Sequence, residues 1–307
     1  MNTRGGNDID VLPKNIELWE IHTFGTSFTK GGGFEFKVNP QLKEFYKDED
    51  IPKTQFDFSW PGRLQELILD NGYKSRVYNH AESGYGYEKT IRDAHSIISD
   101  SRNHLDDKLF IFEFGGFGRK DHYINEMGYL ISNWHFKTKK SDFQFVVDDD
   151  DEDIEIITHG IAKKYFEDTD EVKKDIKRFE PIIEKFNSET LEMNSRHNKM
   201  GQEIVNFIGF LNIIGAKYIL ASVPMLPFDY HKNFHHLWEG KTVKYKVDDK
   251  NHKIELDLYG FLEKSKLRIS DETSGLINDN HGGLRGNTKI AKHIFEKIEE
   301  DYIYALN

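Results

Sequence analysis

The stretch IELWEIHTFGTSFTKGGG, residues 16–33, decides the fold. Residues 16–24 are rich in apolar and β-favouring side chains and read as a buried strand. The glycines, threonines and serine that follow are loop chemistry. From Trp60, WPGRLQELILDNGY places apolar residues at 64, 67 and 68 and stops at Asn71-Gly72, which reads as an amphipathic helix. SRVYNHA (75–81) is a second strand and YEKTIRDAHSIISD (87–100) a second helix. DKLFIFEFGG (107–116) is an apolar run ending in glycines, as in a strand buried on both faces. Strand, helix, strand, helix, strand predicts a central parallel sheet covered by helices, a three-layer α/β/α sandwich.

Further along, the rhythm changes. FQFVV (143–147), DDDDED (148–153) and IEIIT (154–158) read as a hairpin with an acidic turn, and 169–197 as a highly charged helical stretch. GQEIVNFIGFLNIIGA (201–216) reads as a more apolar helix and KYILASVPM (217–225) as another buried strand. TVKYKVDDKNHKIELDLYG (242–260) alternates like a second hairpin, and TKIAKHIFEKIEEDYIYAL closes as an amphipathic helix. The expected organisation is a loose arm over 1–15 and one α/β domain over 16–307, with inserted hairpins and helices at about 39–58, 134–197 and 228–262.

Composition narrows the function. A net charge of −11 disfavours generic DNA or RNA binding, which concentrates Lys and Arg against phosphates. With no cysteine, disulfides, thiolate catalysis and Cys-ligated zinc are excluded. The N-terminal residues lack the apolar stretch of a secretory signal and no segment reads as a membrane span, so cytoplasmic synthesis is expected. Aromatic residues, 13% of the chain, supply burial that scarce Leu and Val would otherwise provide.

Three places carry chemistry. Gly25-Thr26-Ser27 follows the first strand, at the strand tip where open α/β sheets bind ligands; taken alone, Ser27 reads better as a helix cap. Asn79 to Gly86 follows the second strand, and its Gly84 offers an unobstructed backbone N–H or is an ordinary turn glycine. Asn278-Asp279-Asn280-His281 precedes the last helix. There a histidine two residues after an acid has what a serine nucleophile needs, though single DxH pairs also occur in solvated turns.

In order and strand placement these blocks resemble the SGNH (GDSL-type) hydrolase family, here in diverged form. Gly25-Thr26-Ser27 matches its GDS block, Gly84 its oxyanion glycine, and Asp279 and His281 its last block before the C-terminal helix. Trp60 to Leu64 is similar to its helix after the nucleophile loop. Thr26 stands in place of the usual Asp. Phe117 stands where the GxND block would place an Asn, leaving Gly116 and Arg119 as the neighbouring substitutes. A strict DxxH spacing would put Asn278 in the acid's place, and Asp279 is preferred because a carboxylate stabilises an imidazolium better than an amide.

The resemblance implies a flavodoxin-like three-layer fold and a serine esterase acting on an ester or O-acetyl group of a small-molecule, lipid or carbohydrate substrate. Ser27 is then the nucleophile, His281 the base and acid, Asp279 its partner, and the N–H groups of Ser27 and Gly84 the oxyanion donors. Neither cofactor nor metal is implied. The alternative is a catalytically degenerate binding or structural protein on the same fold. For this reading the Asn-, Lys- and Asp-rich, cysteine-free composition resembles phage-encoded, virion-associated relatives. Outside these blocks, Asp148 to Asp153 lacks the ligand spacing of a calcium loop and reads as a solvated turn. His231, His235 and His236 read as an aromatic lid loop or ligand contacts. Glu82 and Tyr85 are candidate pocket walls, and Gly31-Gly32-Gly33 is no P-loop, since no GK[ST] follows.

Overall fold

The computed structural model describes residues 20–34, 41–46, 54–83, 86–101, 104–115, 120–124, 129–133, 158–160, 193–223, 232–247 and 252–303. Four strands, β1 (Glu20–Phe24), β2 (Arg76–Asn79), β3 (Lys108–Glu113) and β7 (Lys217–Ser222), form one parallel sheet in the order β2-β1-β3-β7. The N-terminal half supplies helices α1 (Ser27–Lys30), α2 (Gln41–Phe45), α3 (Gln55–Phe58), α4 (Trp60–Asp70) and α5 (Tyr87–Asp100). The C-terminal half adds α6 (Met193–Ile213), α7 (Leu258–Lys264), α8 (Ile269–Glu272) and α9 (Leu284–Ile298). Among the described helices, none is long and apolar enough to cross a membrane.

The period-two alternation of the strands sorts the core into two layers. Ile21, Leu109, Ile111, Ile219 and Ala221 face α4, α7 and α9, packing with Trp60, Leu64, Phe261, Leu262, Ile290 and Ile294. Phe24, Phe110, Phe112, Tyr218 and Leu220 face α5 and α6, packing with Ala94, Ile98, Ile204, Phe207 and Leu211. The three-layer α/β/α sandwich expected from the strand–helix rhythm is thus observed, with a mainly aliphatic layer on one side and an aromatic one on the other. Every residue of β3 is buried, as its apolar run predicted.

Several boundaries move. The hydroxyl of Ser59 accepts the Gly62 N–H to start α4, and Pro61 is tolerated in the first turn, where its missing N–H is no loss. The last helix begins at Leu284, only three residues after His281. The 242–260 stretch forms a short hairpin, β8 (Lys244–Lys246) with β9 (Lys253–Glu255). It does not continue as strand through Tyr259, because Asp257 caps α7 by accepting the Gly260 N–H at 2.8 Å. A second, antiparallel sheet, β4 (Lys120–Ile124), β5 (Tyr129–Asn133) and β6 (Thr158–Gly160), follows β3. The expected arm over 1–15, the hairpin tip at 148–153 and most of the charged stretch 169–197 lie outside the described residues. Within the expected insertion at 39–58, Leu42, Tyr46 and Phe58 are buried with Phe34, Ile269, Ile277 and Leu284, beneath the loop that carries His281.

Candidate active site

Strands β1, β2 and β3 deliver their C-terminal ends to one edge of the sheet, where the chain turns sharply after Phe24. Thr26 caps α1 in extended conformation, its hydroxyl accepting the Phe28 N–H, and Ser27 is the first helical residue, 4% exposed. Its own N–H heads the helix and has no acceptor among the described residues. The turn is anchored from below by Glu113 at the end of β3. This buried carboxylate accepts the Thr26 N–H at 2.6 Å, the Thr26 hydroxyl at 2.9 and 3.0 Å, and the Thr29 hydroxyl at 3.0 Å. A buried carboxylate needs several donors, and this turn provides three. The β3–β7 register shifts between Phe112, paired with Leu220, and Glu113, paired with Ser222, a local irregularity at the base of the turn.

Space around the turn is tight. A Cβ on Gly25 would stand 2.4 Å from the Thr29 hydroxyl and 2.5 Å from the Glu113 carboxylate. Asn79 of β2 donates to the Thr29 carbonyl at 3.0 Å, and Lys30 pairs with Glu82 at 2.6 Å, so the β2 tip braces the other side. Gly31 and Gly33 both have φ of 85°, the left-handed conformation that glycine adopts without strain. Gly32 and Gly33 pass beneath the histidine loop. A Cβ on Gly32 would stand 2.7 Å from His281 Nε2, and one on Gly33 2.9 Å from Asp279 Oδ2. The triple glycine therefore lets the nucleophile turn and the histidine loop approach each other.

The histidine loop is held by backbone bonds. Ile269 N donates to His281 O at 2.8 Å, Ser270 N to Asp279 O at 3.0 Å, and Gly283 N to Leu267 O at 2.8 Å. The buried Asn287 of α9 donates to Gly282 O at 3.0 Å and to Phe58 O at 2.9 Å, joining loop, C-terminal helix and α3. Glu272 accepts the Gly286 N–H at 3.0 Å and the Tyr46 hydroxyl at 3.0 Å. Burial pushes the pKa of Glu272 above the usual carboxylate range.

These supports bring three polar side chains together across 254 residues of chain. His281 Nε2 lies 2.8 Å from Ser27 Oγ, and His281 Nδ1 lies 2.7 Å from Asp279 Oδ1. The same Asp279 oxygen accepts the His281 backbone N–H at 2.8 Å, so a spacing of two residues suffices to lock acid and imidazole. Asn278, the residue a DxxH spacing would select, is exposed. Burial works to raise the Asp279 pKa, but the bonds and charge from His281 outweigh it and hold the group below the usual aspartate value. Phe28 lies against the imidazole with ring centroids 4.8 Å apart, and Tyr259 meets Phe28 edge-on at 6.0 Å.

Gly84, Gly116, Phe117, Arg119 and His231 lie outside the described residues. His235 packs edge-on against Trp238, with centroids 6.4 Å apart. No group of three or more potential metal ligands is found among the described residues. Glu113 and the packing role of Gly31 to Gly33 were missed from sequence.

No family model matches the sequence, and no curated protein matches it either. Among solved structures, the chain is similar to the psychrotrophic esterase EstA from Pseudoalteromonas sp. at 11% identity and a TM-score of 0.42, covering 94% of this chain and 99% of that one. It is similar to a GDSL-like lipase from Parabacteroides merdae at 12% identity and a TM-score of 0.42, covering 92% and 97%. A third likeness is to the acetyl xylan esterase AlAXEase, at 11% identity and a TM-score of 0.37, covering 91% and 99%. At these scores the likenesses carry nothing about residues or substrate.

Proposed function

We propose that this protein is a serine ester hydrolase whose nucleophile is Ser27. The observation that carries the reading is the continuous hydrogen-bonded chain from Asp279 through His281 to Ser27. A serine hydroxyl is a weak nucleophile until a base within hydrogen-bond reach removes its proton as it attacks. His281 Nε2 stands at that distance, and Asp279 on Nδ1 fixes the tautomer that leaves Nε2 as the acceptor.

Ser27 Oγ attacks the ester carbonyl carbon while His281 takes the hydroxyl proton. The oxyanion forms beside the Ser27 N–H, the unclaimed donor at the head of α1, and Gly84 is the second donor by its place after β2. Collapse expels the alcohol with the proton from His281, leaving an acyl group on Ser27. Water, activated by His281, then releases the acid. Asp279, kept ionised by its bonds to His281, stabilises the imidazolium in both steps. Glu113 takes no part in proton transfer and sets the position of the turn.

The test is the reaction of Ser27 with a fluorophosphonate probe, read by peptide mass, together with hydrolysis of short-chain p-nitrophenyl esters. Wild type acquires one phosphonyl group on Ser27 and turns over ester, whereas Ser27→Ala does neither, its turnover falling by about 10⁶-fold. A folded wild-type protein that takes no label, or equal turnover by both proteins, removes the reading and favours a binding role on the same fold.

A further inference from the structure

The rings around His281 have no part in the proton relay. Phe28 follows the nucleophile directly and is partly buried against the aliphatic core, its ring tilted 44° to the imidazole. Tyr259 stands against Phe28 at 89° and is 40% exposed, one of a handful of large exposed apolar side chains among the described residues. It is nevertheless held firmly. It is the second residue of α7, whose start Asp257 caps, and its phenol lies within electrostatic reach of the Arg268 guanidinium. Arg268 is itself fixed by Asp271 at 3.0 Å and by Glu263 at 3.5 Å. A ring seated at a capped helix start and set edge-on against Phe28 offers a flat face at little further entropic cost.

We infer that Phe28 and Tyr259 form the recognition surface for the alcohol half of the ester, and that this alcohol carries a flat ring. The inference rests on the reading of Ser27 and His281 given above. When the tetrahedral adduct on Ser27 collapses, the bond between the former carbonyl carbon and the alcohol oxygen breaks and its electron pair goes to that oxygen. The proton taken from Ser27 moves from His281 Nε2 to the same oxygen, and the acyl group stays on Ser27. The departing oxygen must therefore come within hydrogen-bond distance of Nε2. The group attached to it leaves along the His281 side of the site, where the Phe28–Tyr259 pair stands.

The test compares kcat/KM for benzyl, cyclohexylmethyl and propyl acetate, which share an acyl group and release alcohols of similar acidity. Wild type prefers the ring-bearing esters over propyl acetate. Tyr259→Ala reduces that preference by about five- to tenfold, whereas Tyr259→Phe, which keeps the ring, retains most of it. Loss for benzyl acetate alone assigns the surface to flat, aromatic rings; equal loss for cyclohexylmethyl acetate, whose ring is a puckered chair, overturns the requirement for a flat ring. Lengthening the acyl group from acetate to butyrate on benzyl alcohol changes the rate by the same factor in wild type and variant. An unchanged preference in a Tyr259→Ala protein that melts like wild type overturns the inference, as does a change that follows the acyl chain. Fluorophosphonate labelling separates the two failures. A labelled Ser27 with an unchanged preference removes only the ring surface, whereas an unlabelled wild type removes the hydrolase reading and the inference with it.

Discussion

Two imidazole environments, one in the loop before the last helix and one just past the end of β2, differ in what their nitrogens touch. His281 lies between the Asp279 carboxylate and the Ser27 hydroxyl at the sheet's edge. His80, just past the end of β2, has its Nε2 2.9 Å from Nδ1 of His22, and its ring stacks on Phe24 at 4.9 Å. Burial, with the neighbouring His22 adding to it, pushes the His80 pKa down to about 4. The fold thus keeps a proton off His80, while it sets the His281 ring between a carboxylate and a hydroxyl. The difference is a carboxylate: Asp279 stands on the His281 ring, whereas among the described residues His80 has another imidazole and an aromatic face beside it.

The strongest way to break this contrast is Asp279→Asn. The amide keeps the shape but can hold the imidazole in the wrong tautomer, and turnover is expected to fall by about 10⁴-fold. A p-nitrophenyl ester assay on a variant with an unchanged melting curve checks it. A loss of less than tenfold would show that the carboxylate is not the partner that charges His281.

Next in size is Glu113→Ala, which removes the carboxylate below the turn while leaving the Ser27, His281 and Asp279 side chains in the sequence. It strands the Thr26 N–H and two hydroxyls that now donate to Glu113. Stability should fall by about 2–4 kcal/mol, and turnover by about 10²-fold through misplacement of Ser27. The readout that separates positioning from mere folding is taken well below the melting temperature, where kcat falls and KM stays. A proportionate loss of folded protein with normal kcat per folded molecule would reduce Glu113 to a structural role.

The sheet and its covering helices were legible because alternation and helical periodicity are local signals. FIFEF alone places Phe110 and Phe112 on one face and Ile111 on the other. Ser27, Asp279 and His281 stood out because each follows or precedes an element in a recognisable order. What stayed hidden depended on contacts between distant segments. Gly31-Gly32-Gly33 reads as loop chemistry and nothing more until His281 and Asp279 are seen to need its space. Glu113 did leave a trace: one acid inside an apolar run buried on both faces must have buried donors, and nothing nearby in sequence names them. The turn of α7 at Leu258 was masked by the alternation of the hairpin before it, since a helix of seven residues is too short to impose its own period.

A prediction on stability alone sharpens the comparison from the other side. His80 is neutral in the fold, while in the unfolded chain it titrates near the ordinary value of 6.5. Between these two pH values the unfolded state binds more protons than the folded state, so stability rises with pH and is lost as the pH falls from about 6.5 to about 4. The loss attributable to His80 is on the order of 3 kcal/mol across that window. Asp279, whose folded pKa is lowered, adds a loss of the same sign at still lower pH, below its ordinary value of 3.8. The two are separable by urea unfolding at pH 7, 5.5 and 4.5. His80→Phe keeps the stack on Phe24 and removes the titrating ring, so the slope between pH 6.5 and 4.5 should flatten, leaving the contribution of His22, whose pKa burial also lowers. An unaltered slope would mean that His80 is not kept neutral by the fold, and the contrast with His281 would then rest on geometry alone.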